Sequence, residues 1–171
     1  ATGVSGIPNL PDDIPSFTDF AGTTVHSEEY TGGIAWRGRK ALVLGTGNSG
    51  HDIAQDLYVN GVDVTMIQRS PTMVVNIEPS AQLPYALYEE GPSLEDCDLL
   101  AAATPLKVLR KMHQLVTEKA KTFDKPLLDA LSGAGFLLDY GKNNTGWQFK
   151  YLERGGGYYF NVGCSDLIAN G

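Results

Sequence analysis

The sequence is poor in the features that define several protein classes outright. It holds only two cysteines, Cys97 and Cys164, in 171 residues. Two isolated thiols supply neither a disulfide framework nor metal-ligand spacing, so the expectation is two reduced cysteines in a cytoplasmic protein with no bound metal. Positive charge is scarce: 13 Lys and Arg face 20 Asp and Glu, for a net charge of −7. An acidic surface repels a phosphate backbone, which argues against a nucleic-acid partner while leaving room for one local anion site. No apolar run approaches the roughly 18 residues that read as a transmembrane segment. The most apolar stretch, Asp98 to Leu109, is interrupted by Pro105 and Lys107. The opening residues hold no charged-then-apolar leader, and secretion is not expected.

What is present suits a folded domain, with 42% hydrophobic side chains. Residues 1–39 are rich in breakers, with Pro8, Pro11 and Pro15 among Gly3, Gly6, Asp12 and Asp13. They read as an extended connecting segment. Its apolar residues Val4, Ile7, Leu10, Ile14, Phe17 and Phe20 are too many for a free linker, so the segment is expected to lie against another surface.

From residue 40 the character changes. Lys40 to Leu44 is a short run of strand formers expected to be buried on both faces. Glycines follow at 45, 47 and 50. Ile53, Ala54, Leu57 and Tyr58 then repeat at helical spacing, Asn60-Gly61 supplies a stop, and Val62 to Ile67 reads as a second strand. Strand, helix and strand over about thirty residues make a βαβ unit with a parallel sheet. Residues 71–150 read as mostly helical. Ser93-Leu94-Glu95-Asp96 is a capping box and Thr104-Pro105 an N-cap pair. Leu106, Leu109, Met112, Val116 and Ala120 form an apolar stripe, with His113 on a solvated face. Pro126 opens a further helix that stops near Gly133-Ala134-Gly135, and Tyr158 to Val162 reads as a return strand within 151–171. The expected fold class is α/β: a Rossmann-like parallel sheet with one GxGxxG βαβ unit, plus a mostly helical insertion.

Gly45-Thr46-Gly47-Asn48-Ser49-Gly50 carries the strongest chemical signal, because it follows a strand and opens a helix. In that context Gly45 permits the tight turn, Gly47 lets the backbone approach a pyrophosphate, and Gly50 lets helix and sheet pack closely. Free amides at the helix start then face the anion. The second strand ends in Gln68-Arg69-Ser70, where a site for NAD or a methyl donor usually carries an acidic residue. Asp63 lies at the other end of that strand. Arg69 offers a fixed fork of donors to a 2′-phosphate and Ser70 a hydroxyl, which favours NADPH over NADH. His51 reads as a first-turn residue without a ligand. Asp139, Tyr140, Asn143 and Asn144 are residues that could face a substrate.

Upstream, Phe20, Gly22, His26 and Tyr30 spell FxGxxxHxxxY. Together with the glycine loop, this pattern resembles the flavin-containing monooxygenases, including the Baeyer–Villiger and plant auxin-forming enzymes. Ala1-Thr2-Gly3 is similar to the segment where that family crosses from its FAD domain to its NADPH domain. Gln68-Arg69-Ser70 matches the family's basic strand end, and Lys150 to Tyr159 resembles a microbial and fungal branch. Tyr30, where the Baeyer–Villiger form prefers Trp, leans toward the N- or S-oxygenating side.

The resemblance implies NADPH and FAD as cofactors and, as partners, O2 and a small organic substrate oxygenated through a C4a-(hydro)peroxyflavin. It implies cofactor contacts at Ser27, at the loop residues Gly45, Thr46, Gly47, Asn48, Ser49 and Gly50, and at Gln68, Arg69 and Ser70. It leaves the catalytic residue unassigned, with His26 a candidate general base or domain-linking residue. Residues 1–39 would then link a FAD domain to an NADPH domain over 40–171. The chain would be a slice of a larger enzyme, since a second glycine motif for FAD is missing and the first residue is Ala1. Two other readings stay open: a non-catalytic NADP-binding or sensing module, and a disulfide-reductase-like flavoprotein, against which the lack of Cys-x-x-Cys counts. A methyltransferase would need an acid where Arg69 stands. Oligomeric state is left open.

Overall fold

Strand-forming Lys40–Leu44 builds β1, which pairs in parallel with β2 (Asp63–Ile67), Lys40 opposite Asp63 and Leu44 opposite Ile67. The coordinates are a computed structural model that describes residues 8, 10, 11 and 14–171. Ala1-Thr2-Gly3, Val4 and Ile7 lie outside the described residues. Helix α1 (Asn48–Val59) makes the crossover between the two strands and buries His51, Ala54 and Leu57. Gly61 follows it with φ +78°, a left-handed conformation that glycine adopts without a Cβ penalty. Tyr58, expected on the buried stripe, is exposed: a step of about 100° per residue carries it past the face that Leu57 defines.

The same helix explains a second departure. Alternate side chains of a strand point to opposite faces. Val43 packs with Ala54 and Leu57, and Ala41, Val64 and Met66 are half-buried beside them. Leu42 at 61% exposure, Leu44 and Ile67 face outward. β1 is therefore covered on one face only, because α1 lies on that face and no described element lies on the other.

The strand buried on both faces is one that hydrophobic patterning does not reveal. β3 (Met73–Asn76) lies inside the stretch expected to be helical and pairs in parallel with β4 (Tyr158–Asn161). Val74 points into the core shared by Val43, Leu57, Leu131, Phe136 and Tyr159. Met73 and Val75 point into a second cluster with Ala81, Ala120 and Tyr158. The two strand pairs form separate sheets. The molecule is thus α/β with small parallel sheets.

Between β3 and β4 the chain is helical: α2 (Ala86–Glu90), α3 (Leu94–Ala103), α4 (Leu106–Phe123), α5 (Lys125–Gly133) and α6 (Gly146–Arg154), with α7 (Cys164–Asn170) after β4. Ser93 caps α3 as expected, its Oγ accepting the Asp96 N–H at 3.3 Å. Thr104 does not cap α4. Its hydroxyl donates backward to the Leu100 carbonyl at 2.7 Å, so it closes α3, and Pro105 precedes α4 without a side-chain bond. The buried face of α4 runs through His113, Thr117 and Ala120, with Leu109 and Val116 half-buried, while Leu106 and Met112 are exposed. His113 is thus a core residue, packed edge-on against Phe149 at 5.4 Å, and burial lowers its pKa.

At the end of α4 the carboxylate of Asp124 is buried. It accepts the Asn76 N–H at 3.0 Å, the Asn76 Nδ2–H at 2.9 Å and the Ser80 hydroxyl at 2.8 Å, tying β3 to α4. Cys97 and Cys164 are both buried and free. Among the described residues no helix is long and apolar enough to cross a membrane, and no group of His, Cys, Asp and Glu could hold a metal ion.

Candidate functional site

The glycine loop begins where β1 ends, with the Gly45 N–H donating to the Ile67 carbonyl at 2.9 Å. Its glycines are required for different reasons. Gly45 has φ +114°, a region that L side chains rarely adopt. A Cβ on Gly50 would sit 2.3 Å from the Gly45 carbonyl oxygen, so loop and helix can approach this closely only without one. Gly47 has φ −81° and a Cβ there would meet nothing within 4 Å, so neither backbone conformation nor internal packing demands glycine at that position.

Gly47 is the N-cap of α1 and offers no side chain to the helix start. The amides of Asn48, Ser49 and Gly50 precede the first intrahelical bond, from the His51 N–H to the Gly47 carbonyl at 3.1 Å. These orphan donors and the positive end of the helix dipole suit an anion.

The polar side chains of the loop are mostly committed to the chain itself. Thr46 is buried, its hydroxyl 2.6 Å from that of Thr72 just before β3. Asn48 Oδ1 accepts the Phe160 N–H of β4 at 3.0 Å. Ser49 alone among them is exposed. At the end of β2, the Gln68 amide clamps the main chain of Leu137, donating to its carbonyl at 2.8 Å and accepting its N–H at 2.7 Å. Arg69 and Ser70 are exposed, and Arg69 forms no ion pair or side-chain hydrogen bond among the described residues.

The upstream fingerprint docks on α1. Tyr30 donates its hydroxyl to Asp56 Oδ2 at 2.7 Å, and the Gly33 N–H donates to the same oxygen at 2.7 Å. Burial and the Asp56 carboxylate push the Tyr30 phenol above its ordinary range, so it remains a donor. A Cβ on Gly33 would lie 2.9 Å from the Asp56 carbonyl oxygen, which accounts for that glycine. Asp56 and Gly33 were not distinguishable from ordinary surface residues in the sequence, since their partnership spans more than twenty positions. His26 is half-buried, and its Nδ1 accepts the Glu28 N–H at 3.2 Å, capping the single turn Ser27–Glu29. Ser27 itself is exposed. His26 and Phe20 border an open cleft of about 860 Å³ with Leu10, Phe17, Glu28 and Glu29. Its imidazole bonds no side chain among the described residues.

His51 is fully buried in the first turn of α1, stacked on Tyr159 with centroids 3.8 Å apart and planes within 4°. Its Nδ1 lies 3.1 Å from the Gly47 carbonyl oxygen, and burial pushes its pKa down to about 4. Asp139 pairs with the buried Lys150 ammonium and accepts the Gly141 N–H at 2.9 Å. Tyr140 lies under the Lys121 ammonium, 4.0 Å from ring centroid to Nζ, and the Asn143 carbonyl accepts from Gln114 at 2.8 Å. Asp139, Tyr140 and Asn143 are thus engaged in holding the turn before α6.

Parallel strand pairs, a crossover helix and a glycine turn open to solvent at its start define an α/β protein with an anion-ready loop. The sequence matches the family described as flavin-binding monooxygenase-like over residues 1–109, and the chain belongs to that family. It is 39% identical over 75 residues to the indole-3-pyruvate monooxygenase YUCCA1 of Oryza sativa subsp. japonica, covering 44% of this chain and 18% of that protein. It is 40% identical over 70 residues to flavin-containing monooxygenase 3 of Oryctolagus cuniculus, covering 40% of this chain and 13% of that protein. The same identity over 70 residues relates it to the putative dimethylaniline monooxygenase (N-oxide-forming) 6 of Homo sapiens, with 13% of that protein covered. The chain therefore spans less than a fifth of the length of these relatives.

Proposed function

We propose that the chain is the NADPH-binding portion of a flavin-dependent monooxygenase acting on a small organic substrate with O2. In this reading β1, α1 and β2 are a Rossmann-type unit, residues 40–171 the dinucleotide domain, and residues 1–39 the segment leading into it. The backbone amides of the Gly45–Gly50 turn hold the pyrophosphate, Arg69 with Ser70 takes the 2′-phosphate, and the exposed Ser27 adds a cofactor contact on the strength of the family resemblance. FAD is placed on residues other than these, because the sequence carries a single GxGxxG loop. NADPH supplies the hydride and FAD the oxygen chemistry. The chain's own part is to bind and orient the nicotinamide dinucleotide.

The observation that carries the reading is Gly47. Its glycine is unexplained by conformation or by packing, and it stands at the mouth of the orphan amides of α1. Close approach of a phosphate supplies the missing reason.

Arg69 tests it. Charge-assisted bonds are worth about 1.5–3 kcal/mol. Arg69→Ala in the full-length protein is expected to raise the KM for NADPH about ten- to a hundredfold and leave that for NADH within about twofold. Equal effects on both cofactors would remove the 2′-phosphate assignment.

A further inference from the structure

The imidazole of His51 is costly where it stands. The Gly47 carbonyl can only accept, so the neutral ring carries its proton on Nδ1 and donates there, at 3.1 Å. Nε2 is then an acceptor, fully buried, with no partner among the described residues. A phenylalanine would stack on Tyr159 and face Phe136 equally well without an orphaned nitrogen. What the imidazole adds is polar contact with the loop backbone at Gly47 and Thr46, foremost the Nδ1 bond to Gly47.

That bond acts on the anion site through the geometry of one peptide. The Gly47 carbonyl accepts twice from His51, from its backbone N–H and from its ring. The peptide is planar and trans, so its N–H, that of Asn48, points opposite to the carbonyl. Holding the Gly47 oxygen toward the helix holds the Asn48 N–H away from it, toward the open side of Gly47. The ring is itself held rigidly: Tyr159 is fully buried, and its hydroxyl accepts the N–H groups of Val162 at 3.0 Å and Cys164 at 3.4 Å.

We propose that His51 is a positioning residue for dinucleotide binding. It fixes the Gly47–Asn48 peptide so that the Asn48 N–H is aimed at the phosphate before the ligand arrives. The inference rests on the dinucleotide reading above and adds a residue that never touches the ligand.

Two variants of the full-length protein separate the hydrogen bond from the stack. His51→Phe keeps the stack and loses the donor. His51→Asn keeps a donor near the Nδ1 position and loses the stack. NADPH affinity is read by equilibrium titration, KM and kcat by NADPH oxidation, and folding by thermal melting. His51→Phe is expected to weaken NADPH binding and raise its KM about three- to tenfold, with kcat within about twofold and a near wild-type melting temperature. His51→Asn is expected to melt earlier yet bind NADPH within about twofold of wild type. Wild-type affinity in His51→Phe overturns the proposal, as does weakening in both variants in proportion to lost melting temperature, which marks a packing role. If His51→Asn does not fold, the His51→Phe titration decides alone. A wild-type protein that binds no NADPH removes the dinucleotide reading and this inference together, whereas normal wild-type binding with an indifferent His51→Phe removes only the inference.

Discussion

Gly47 and Gly50 lie three residues apart in one loop, yet their substitutions are expected to fail in opposite ways. A Cβ on Gly50 falls 2.3 Å from the Gly45 carbonyl oxygen, so Gly50→Ala must displace loop backbone by roughly an ångström to regain ordinary contact. Overpacking of this kind costs about 1–3 kcal/mol. A side chain on Gly47 meets no protein atom, and φ −81° is open to any residue. Gly47→Val therefore costs only the weaker capping of α1, about 1 kcal/mol. Its isopropyl group stands where the phosphate would approach. Melting each full-length variant with and without NADPH separates the two effects. A ligand at a hundred times its Kd adds about 2.7 kcal/mol to the folded state. Wild type should show that gain and Gly47→Val should lose it while melting almost normally alone. Gly50→Ala should melt early in both conditions. A Gly47→Val protein that retains the full NADPH-dependent gain would refute the assignment of the loop. One that unfolds more readily than Gly50→Ala would refute the packing argument beneath it.

Two further expectations concern stability. Asp124→Asn places an amide NH2 against donors that now face carboxylate oxygens, from Asn76 and Ser80, at a buried position. A loss of about 1–3 kcal/mol is expected in urea unfolding, and an unchanged midpoint would deny the carboxylate its role in joining β3 to α4. His51 has its pKa lowered from 6.5 to about 4, so the unfolded chain takes up this proton first as pH falls. Its contribution is fully present above about pH 6.5 and declines toward pH 4, by about 3 kcal/mol in all. His51→Phe should flatten the pH–stability curve over that window, and parallel curves for the two proteins would exclude His51 as the titrating group.

What could be read along the chain was whatever neighbouring residues decide among themselves. β1, α1 and β2 follow from a strand-forming run, helical spacing and the Asn60-Gly61 stop, and the roles of Gly45 and Gly50 follow from the same short stretch. β3 escaped because four residues after Ser70-Pro71 show no period, and its partner β4 is some eighty positions away. The one-sided cover of β1 is hidden for a related reason: a run such as Ala41-Leu42-Val43-Leu44 records apolar character without saying which faces are covered. The burial of His113 is equally hidden, because a polar residue among lysines on α4 looks solvated until Phe149 arrives from another helix.

The site divides along the same line. The loop motif is legible as a ligand signature, yet several of the side chains it names turn inward: Thr46 to Thr72, Asn48 to the β4 backbone, Gln68 to Leu137. Each joins the β1–α1–β2 unit to the rest of the chain across a gap that sequence spacing cannot measure. Their commitment leaves the backbone amides, the exposed hydroxyls of Ser49 and Ser70 and the exposed Arg69 as the donors available to an anion. Backbone donors carry no charge of their own and need only correct direction, which is the role proposed above for the buried ring of His51. An anion site in a chain of net charge −7 is therefore no contradiction. On the dinucleotide reading proposed above, its selectivity would rest on oriented peptides, whose field is local, and on one guanidinium, while the surplus carboxylates act at distances that salt screens.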